Sequence, residues 1–242
     1  MSVGAKQQTG SHDVRRGADT EPLAQGLAEG LAGLGLAIAP QAQAKLLQYC
    51  ALLIKWNRVY NLSAIREPGR ILTHHLLDSL AVLKRIQEDP ALGDTRCRVL
   101  DVGSGAGLPG IPLALACDSL ELELVEPVGK KAAFLRQSVI ELGLSARVTV
   151  HAHPVEQIDR RQPDLIICRA FASLADYVRS IEGQLESKTR IWAMKGKYPS
   201  DEISALDAPW RVDWVYPLEV PGVDGERHLL ELTRSPRLAP EG

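Results

Sequence analysis

Three glycines alternate after a short apolar segment in the middle of the chain, and an acid stands two positions before the first of them. The apolar segment covers residues 99–102, and the four residues concerned are Asp101, Gly103, Gly105 and Gly107. A short run rich in β-branched residues is typical of a buried strand, and glycine backbones can adopt left-handed angles beside a ligand. Pro109 suits the first turn of a helix, where N–H groups lack intrahelical partners. This order predicts the first strand, loop and helix of a nucleotide-binding α/β sheet.

Two classes of ligand fit the glycine loop. Residues 105–110 match the G-x-G-x-x-G pattern of dinucleotide sites, which is weakly specific when it occurs alone. Asp101 extends the loop to D-x-G-x-G-x-G, which resembles the first motif of S-adenosylmethionine-dependent methyltransferases. That ligand carries a cationic amino group that an acid can attract, directly or through water, and a carboxylate that loop N–H groups can hold. A tight turn that binds nothing, with Asp101 as a cap, is the alternative.

Further candidate residues follow the second and third predicted strands. Glu126 ends the second strand, where ligands of open α/β sheets bind, and its distance from the glycines suits the two hydroxyls of a ribose. Val155 and Glu156 follow the third strand, beside the adenine position of this fold class, where a backbone N–H can contact the base edge. The alternatives are an exposed strand-end acid and an ordinary helix start.

Cations follow the next two strands. Arg169 and Phe171 come after the fourth strand, and Lys195 after the fifth. Arginine holds phosphates and stacks on bases, so Arg169 is a candidate for contact with the substrate. We expect Phe171 to be a core residue, although its ring could also serve as a stacking surface.

Polar residues also interrupt the apolar pattern of the N-terminal helices. They include Asn57, Tyr60, His75 and Asp78, of which the last two lie three positions apart and can share a hydrogen bond on one helix face. Two interpretations stay open. The residues form either a polar network that docks the helices onto the sheet or a lid that positions a substrate.

The elements that must position these residues alternate regularly after the glycine loop. Strands are predicted at 99–102, 120–126, 148–151, 165–168, 190–194, 212–217 and 227–233, and helices at 128–142, 155–159 and 174–185. Such a series predicts an α/β fold with a mostly parallel, doubly wound sheet and an antiparallel edge. Helices at 22–39, 41–60 and 69–87 precede the sheet, and glycines should make the first of them loosely packed.

Composition limits the other possibilities. The chain has 242 residues and a net charge of −2, so a nucleic-acid partner must be held by a local patch rather than by bulk attraction. Its four cysteines show no C-x-x-C spacing and its histidines no ligand cluster, which favours a reduced, cytosolic protein without a metal site. No apolar run reaches the length of a membrane span, and residues 1–20 do not form a signal peptide.

Six motifs occur together and in one order. They are WNRVYNL (56–62), HLLDS (75–79), DVGSGAGLPGIP (101–112), RAFAS (169–173), KG (195–196) and GERH (225–228). Together they resemble the ribosomal RNA small-subunit methyltransferase G family, also called glucose-inhibited division protein B, over roughly residues 41–233. The combination is far more specific than the glycine loop alone.

The resemblance implies a Rossmann-like class I methyltransferase with a seven-stranded sheet and an N-terminal helical extension. Its reaction would be methyl transfer from S-adenosylmethionine to N7 of a guanine in 16S ribosomal RNA of the small subunit. It implies cofactor contacts by Gly103, Leu108, Val155, Glu156 and Arg169, and Glu126 stands where many relatives have Asp. Guanine N7 carries no proton, so no general base is required. Because the methylated base is cationic, an acid near it could help, so we name Asp78, as well as Arg169, as a catalytic candidate.

The expected organisation is a disordered leader (1–21), a helical extension (22–94), a methyltransferase domain (95–235) and a flexible tail (236–242). We expect a cytoplasmic monomer that binds no membrane and no metal. Other functions stay open, namely a small-molecule methyltransferase, an NAD-dependent oxidoreductase and a non-catalytic nucleoside sensor or ribosome assembly factor. Asp101 before the glycines disfavours NAD, and the absence of an Asn/Asp-Pro-Pro-Tyr/Phe motif and of a Pro-Cys pair disfavours amino-group and cytosine-C5 methylation.

Overall fold

The computed structural model describes residues 13–93 and 96–235, and its centre is one seven-stranded sheet. The strands are β1 (Cys97–Val102), β2 (Leu120–Val125), β3 (Val148–His151), β4 (Leu165–Arg169), β5 (Arg190–Lys195), β6 (Trp210–Pro217) and β7 (His228–Arg234). Their order is β3-β2-β1-β4-β5-β7-β6. The first five strands pair in parallel, whereas β7 is antiparallel to both of its neighbours. The predicted fold class is therefore confirmed, and each strand lies within a few residues of its predicted place.

Helices cover both faces of the sheet. They are α1 (Asp13–Gly33), α2 (Pro40–Tyr60), α3 (Pro68–Ile71), the π-helix π1 (Leu72–Leu77), α4 (Asp78–Leu80), α5 (Leu83–Glu88), α6 (Gly110–Ala116), α7 (Gly129–Glu141), α8 (Leu174–Ile181) and α9 (Ser200–Ser204). Side chains that alternate along the strands divide into two buried clusters. The N-terminal helices, α6 and α7 share one face, and α8 covers the other. The extension therefore packs directly above the strands that carry the candidate site.

The first helix differs from its prediction in extent and in packing. It begins at Asp13 rather than at Pro22, so the helix includes residues 13–21, which we expected to be disordered. Residues 1–12 of that leader and the predicted tail at 236–242 lie outside the described residues. The glycines of this helix do not loosen it, because Gly30 packs so closely on Leu77 that a Cβ atom would not fit. They allow close contact between helices instead.

The segment predicted as one helix at 69–87 is interrupted. Its middle is π1, in which the backbone turns are wider than in an α-helix, and a turn at residues 81–82 separates α4 from α5. Hydrophobic periodicity does not distinguish a π-turn from an α-turn, so the interruption could not be predicted. Short π-helical turns are often found at functional sites, and π1 carries His74 and His75 toward the carboxyl ends of β4 and β5. Within the described ranges, no helix is both long and apolar enough to cross a membrane.

Candidate functional site

The glycine loop follows β1 with backbone angles that only glycine adopts easily. Gly103, Gly105 and Gly107 have φ angles of +72°, +59° and +88°. The N–H groups of residues 107 and 108 donate to the Ser104 carbonyl, which tightens the turn before α6. A Cβ atom at Gly105 would meet only a carbonyl oxygen at 3.8 Å, so this part of the loop faces open space. The loop is shaped to let a ligand approach its backbone.

A side chain from the helical extension holds this loop from behind. The hydroxyl group of Tyr49, on α2, donates to the carbonyl of Ala106 at 2.7 Å, and the tyrosine is fully buried. Sequence reasoning missed Tyr49, because it falls in the apolar stripe of α2. The hydrogen bond couples the extension to the cofactor side of the site.

Asp101 does not face the cleft as we expected. Its side chain is 0% exposed, and Oδ2 accepts a hydrogen bond from the N–H of Gly110 at 3.0 Å, at the start of α6. This is the capping role that we had named as the alternative, and it arises because the acid lies inside the strand rather than after it. Burial raises the pKa of Asp101 from its usual 3.8 to about 7, although the Gly110 hydrogen bond opposes the shift.

The raised pKa of Asp101 predicts a pH-dependent stability. Because the folded pKa of about 7 exceeds the usual 3.8, the stabilising contribution is complete below about pH 4 and is lost as the pH rises through 7. The loss is about 1.4 kcal/mol per pH unit within that window. The Asp101→Asn variant has no carboxyl group to titrate at this position. Its free energy of unfolding, relative to that of the unsubstituted protein, should therefore increase between pH 5 and pH 8. Urea unfolding at several pH values measures this, and parallel curves for the two proteins would contradict it.

Glu126 lies directly beside the glycine loop. It is only 3% exposed, and its two carboxylate oxygens accept N–H bonds from Gly105 at 2.8 Å and from Val128 at 2.9 Å. Each carboxylate oxygen keeps a further lone pair, which can accept a hydrogen bond from a ribose hydroxyl group. The loop and the predicted ribose-binding acid are therefore brought together.

The third candidate segment follows β3, next to β2 in the sheet. A short 3₁₀ helix covers Val155–Gln157, with the Val155 side chain buried and Glu156 exposed. Leu108, in the glycine loop, is also buried. Since the valine side chain belongs to the core, only backbone groups at residue 155 can reach a ligand.

Arg169 connects the end of β4 to the helical extension. Its Nη1 donates to Asp78 Oδ2 at 2.6 Å and to the His74 carbonyl at 3.0 Å, and Nη2 lies 3.1 Å from His75 Nδ1. The planar guanidinium thus makes three contacts on one wall of the cleft. The structure brings Arg169 and Asp78 together, but most of the arginine's donors are occupied by the protein.

Asp78 lies between two arginines and is almost completely buried. Its Oδ1 accepts from Arg227 Nε at 2.8 Å, so both carboxylate oxygens are occupied by guanidinium groups. Its side chain is 6% exposed. The carboxylate therefore holds two guanidinium groups in place and its charge is compensated by them, and its assignment as a catalytic residue stays a prediction. Arg227, just before β7, is the second functional candidate that we did not identify from sequence.

His75 and Asp78 do not form the hydrogen bond that we expected from their spacing. Among the described contacts, both residues instead contact the guanidinium of Arg169. Burial, and next the charge of Arg169, lower the pKa of His75 to about 4, so this imidazole is neutral at pH 7. Nδ1 lies 3.1 Å from both Arg169 Nη2 and the His74 carbonyl, and Nε2 lies 2.6 Å from Ser63 Oγ.

The loop between α2 and α3 is held by this network. Asn57 donates to the carbonyl of Ile65 at 2.9 Å and accepts from the N–H of Ser63 at 2.8 Å. Ser63 in turn contacts His75. The contacts match the first of our two interpretations, a polar network that docks the extension onto the sheet.

A cavity of about 280 Å³ opens between the extension and the carboxyl ends of β4 and β5. It is lined by His74, Arg169, Phe171, Lys195, Arg227 and His228, among others. Phe171 is half-buried rather than a full core residue, and its ring lies 3.5 Å from where a Cβ of Gly103 would be. The cavity therefore adjoins the glycine loop.

The cavity wall has cationic groups but no uncommitted carboxylate among the lining residues. Lys195 binds both oxygens of Glu202, at 2.8 and 2.7 Å, and Asp78 is occupied as described. In the described part of the chain, no group of three or more His, Cys, Asp or Glu side chains is placed to hold a metal ion. The arrangement can orient a polar, electron-rich ring, and its lining residues offer no uncommitted carboxylate to act as a base.

This sheet order, with a glycine loop after β1 and an acid after β2, defines a Rossmann-like class I methyltransferase. The family model described as rRNA small subunit methyltransferase G matches residues 42–230. The chain therefore belongs to the rRNA small subunit methyltransferase G (GidB) family.

Relatives of the same description cover almost the whole chain. The ribosomal RNA small subunit methyltransferase G of Azoarcus sp. (strain BH72) is 49% identical over 88% of this chain and 97% of its own length. That of Methylibium petroleiphilum is 45% identical over 89% of this chain and 96% of its own length.

Solved structures share the fold alone. A protein of the NADB-Rossmann superfamily from Streptococcus agalactiae is 16% identical, with a TM-score of 0.50 over 63% of this chain and 67% of that one. A mutant of MtNAS is 17% identical, with a TM-score of 0.55 over 90% of this chain and 89% of that one.

Proposed function

We propose that this chain transfers a methyl group from S-adenosylmethionine to N7 of a guanine in 16S ribosomal RNA. The observation that carries the proposal is a single cleft with two sides. One side has the glycine loop and Glu126, and the other is the cavity beside Arg169 and Phe171. Membership of the rRNA small subunit methyltransferase G family supports the reaction and the substrate.

The cofactor side is assigned to the loop and to the ends of three strands. The backbone of the loop would hold the carboxylate of the cofactor, Glu126 the ribose, and the backbone after β3 the adenine. The assigned residues are Gly103, Gly105, Gly107, Leu108, Glu126, Val155, Glu156 and Arg169. Asp101 lies below the loop and caps α6, and its other carboxylate oxygen, Oδ1, is buried without a hydrogen-bond partner among the described residues.

The acceptor guanine would occupy the cavity. Guanine N7 presents a lone pair without a proton, so the nitrogen attacks the methyl carbon while the carbon–sulfur bond breaks, and no base is needed. S-adenosylmethionine supplies the electrophilic methyl group when it is bound. What the chain contributes is alignment, which accounts for up to about 7–11 kcal/mol of a barrier. The lack of an uncommitted carboxylate among the lining residues fits this chemistry.

Cofactor selection gives a direct prediction. S-adenosylmethionine and S-adenosylhomocysteine should bind, whereas NAD should not. Gly103→Val should abolish binding, because a β-branched residue tolerates the φ of +72° poorly and its side chain would occupy the space between the loop and the Phe171 ring. Gly183→Val is the matched control, since Gly183 has no neighbour within 4 Å of a Cβ. Calorimetry measures both, and binding of NAD alone would overturn the assignment.

The site of methylation can be tested chemically. Small subunits from a strain without the gene should become sensitive to borohydride and aniline cleavage at one guanine after incubation with the protein and cofactor. Methyl transfer that leaves the RNA resistant would place the methyl group on another atom. Cofactor binding without turnover would instead favour a nucleoside sensor or an assembly factor.

The setting of the reaction is also part of the proposal. We infer that the substrate is the RNA within the small ribosomal subunit, and that the protein acts as a monomer in the cytoplasm without a membrane or metal. The division into a helical extension and a methyltransferase domain is likewise a proposal. Methylation of naked 16S RNA beside intact small subunits, with the mass of the protein measured by light scattering, tests these points.

A further inference from the structure

A basic surface lies on the helical extension beside the cavity. It consists of Lys55, Arg58, Arg66 and Arg70, which we call the basic rim, and all four are exposed. Glu67 is the only acid in the sequence between residues 55 and 70. This concentration of positive charge contrasts with the net charge of −2 for the whole chain.

The cations of the basic rim differ from most other surface arginines in having no ion pair among the described residues. Arg96, Arg98 and Arg179, on other surfaces, each lie within 3.4 Å of a carboxylate oxygen. Arg66 is held instead by a neutral group, since its Nη2 donates to Asn61 Oδ1 at 2.6 Å. That contact orients the guanidinium and leaves its charge uncompensated.

Two residues of the basic rim, Arg66 and Arg70, lie next to cavity-lining residues, and the other two lie on the adjoining end of α2. Lys55 and Arg58 line a shallow hollow together with Pro68, so the end of α2 lies beside the start of α3. Ile65, next to Arg66 in sequence, lines the cavity that we assign to the guanine. Arg70 is close enough to His74, another lining residue, to lower the pKa of that imidazole after the larger effect of burial.

The backbone that carries the basic rim is firmly anchored. Asn57 and Ser63 hold the intervening loop through hydrogen bonds to its backbone and to His75. Tyr60 lies within the same surface, is 40% exposed and packs against Trp56, with 5.1 Å between the ring centroids and the ring planes 30° apart. Proteins that bind single-stranded RNA combine exposed cations, which hold the phosphates, with an exposed aromatic ring, on which a base stacks.

We propose that the basic rim binds the phosphate backbone of the RNA next to the target guanine. The inference rests on the proposed function, because it presumes that the guanine enters the adjoining cavity. The rim would hold the strand and fix its register, while the cavity receives the base. It would supply the local attraction that the net charge of the chain cannot.

The dependence of RNA binding on salt tests the proposal. Each phosphate contact contributes about 0.7–0.9 to the slope of log K against log salt concentration. The triple variant Arg58→Ala, Arg66→Ala, Arg70→Ala should therefore lower that slope by about two to three. It should also weaken binding of unmodified small subunits by about 100-fold at 0.1 M salt, which follows from the same slope. Affinity for S-adenosylmethionine should stay unchanged.

A matched triple variant controls for charge alone. Lys45→Ala, Arg136→Ala, Lys188→Ala removes the same charge from three exposed positions that likewise have no ion pair among the described residues, and it should keep the original slope. The triple variant Arg58→Lys, Arg66→Lys, Arg70→Lys keeps the three charges and should therefore keep most of the salt dependence of RNA binding. An equal loss in the matched triple, or an unchanged slope in the rim triple, would overturn the proposal.

Misfolding of the rim triple and failure of the proposed function give distinct results. If the rim triple does not fold, as judged by circular dichroism, the three single variants should each lower the slope by about 0.7–0.9, and three unchanged slopes would overturn the proposal. Failure of the proposed function is a different result. In that case the unsubstituted protein would methylate no guanine N7, whatever its RNA affinity.

Discussion

Arg169→Lys should give a folded protein that binds S-adenosylmethionine but has lost most methyl transfer. We expect the single-turnover rate on small subunits to fall by about 100-fold, the effect that a misplacement of about 1 Å can have. The loss of cofactor affinity should be much smaller. Lysine keeps the positive charge, so the comparison isolates the planar fork of the arginine.

The reason lies in what the fork holds. Arg169 contacts Asp78, the carbonyl of His74 and the ring of His75 at the same time, and these residues form the wall of the guanine cavity. An ammonium group presents a point charge rather than a fixed set of coplanar donors. It can keep the contact with the carboxylate but not the three together. The wall should therefore shift while the core below it stays intact.

Three outcomes of this experiment can be separated. If charge alone mattered, Arg169→Lys would match the unsubstituted protein and only Arg169→Ala would fail. If Arg169 were merely structural, both variants would lower the melting temperature and the folded fraction would keep its full activity. Melting curves recorded beside single-turnover methylation distinguish these cases from the one that we expect.

Much of the fold could be predicted because local and global patterns agree. Short apolar strands with intervening amphipathic helices specify the sheet, and β1 with its glycines could be placed to within a residue or two. The prediction failed where the chain departs from ideal periods. The π-helical turn of π1 has no hydrophobic pattern that distinguishes it from an α-helical turn. The glycines of α1 were expected to weaken the helix, because a sequence does not show that Leu77 packs against Gly30.

The candidate site was only partly predictable, for two physical reasons. A sequence shows that an acid lies near a strand end but not where its carboxylate points, and both Asp101 and Asp78 point away from open solvent. Long-range partners are also invisible in a single sequence. Tyr49 lies 57 residues from the loop carbonyl that it binds, and Arg227 lies 149 residues from its carboxylate. The motif containing Arg227 was noticed, but its role needed the fold.

Asp78→Asn should be among the most destabilising single substitutions in the helical extension. The carboxylate accepts from two guanidinium groups and is 6% exposed, so the amide would leave two cations in a poorly solvated place without a counter-charge. Removal of one partner from a buried ion pair typically costs about 3–5 kcal/mol. We expect a decrease of that size in the free energy of unfolding, measured with urea at pH 7. The rate of methyl transfer should fall with it, because the guanidinium groups lose their fixed positions.

Asp176→Asn provides the control, since Asp176 also pairs with an arginine but at the surface, with side-chain exposures of 73% for Arg179 and 52% for the acid. Exposed pairs contribute at most about 1 kcal/mol, so this variant should unfold almost as the unsubstituted protein does. A double variant, Asp78→Asn with Arg227→Gln, sharpens the test. Because it removes one of the uncompensated cations together with the carboxylate, it should be less destabilised than the sum of its two single variants. Strict additivity, or a loss for Asp78→Asn as small as that for Asp176→Asn, would show that the carboxylate does not fix the two arginines.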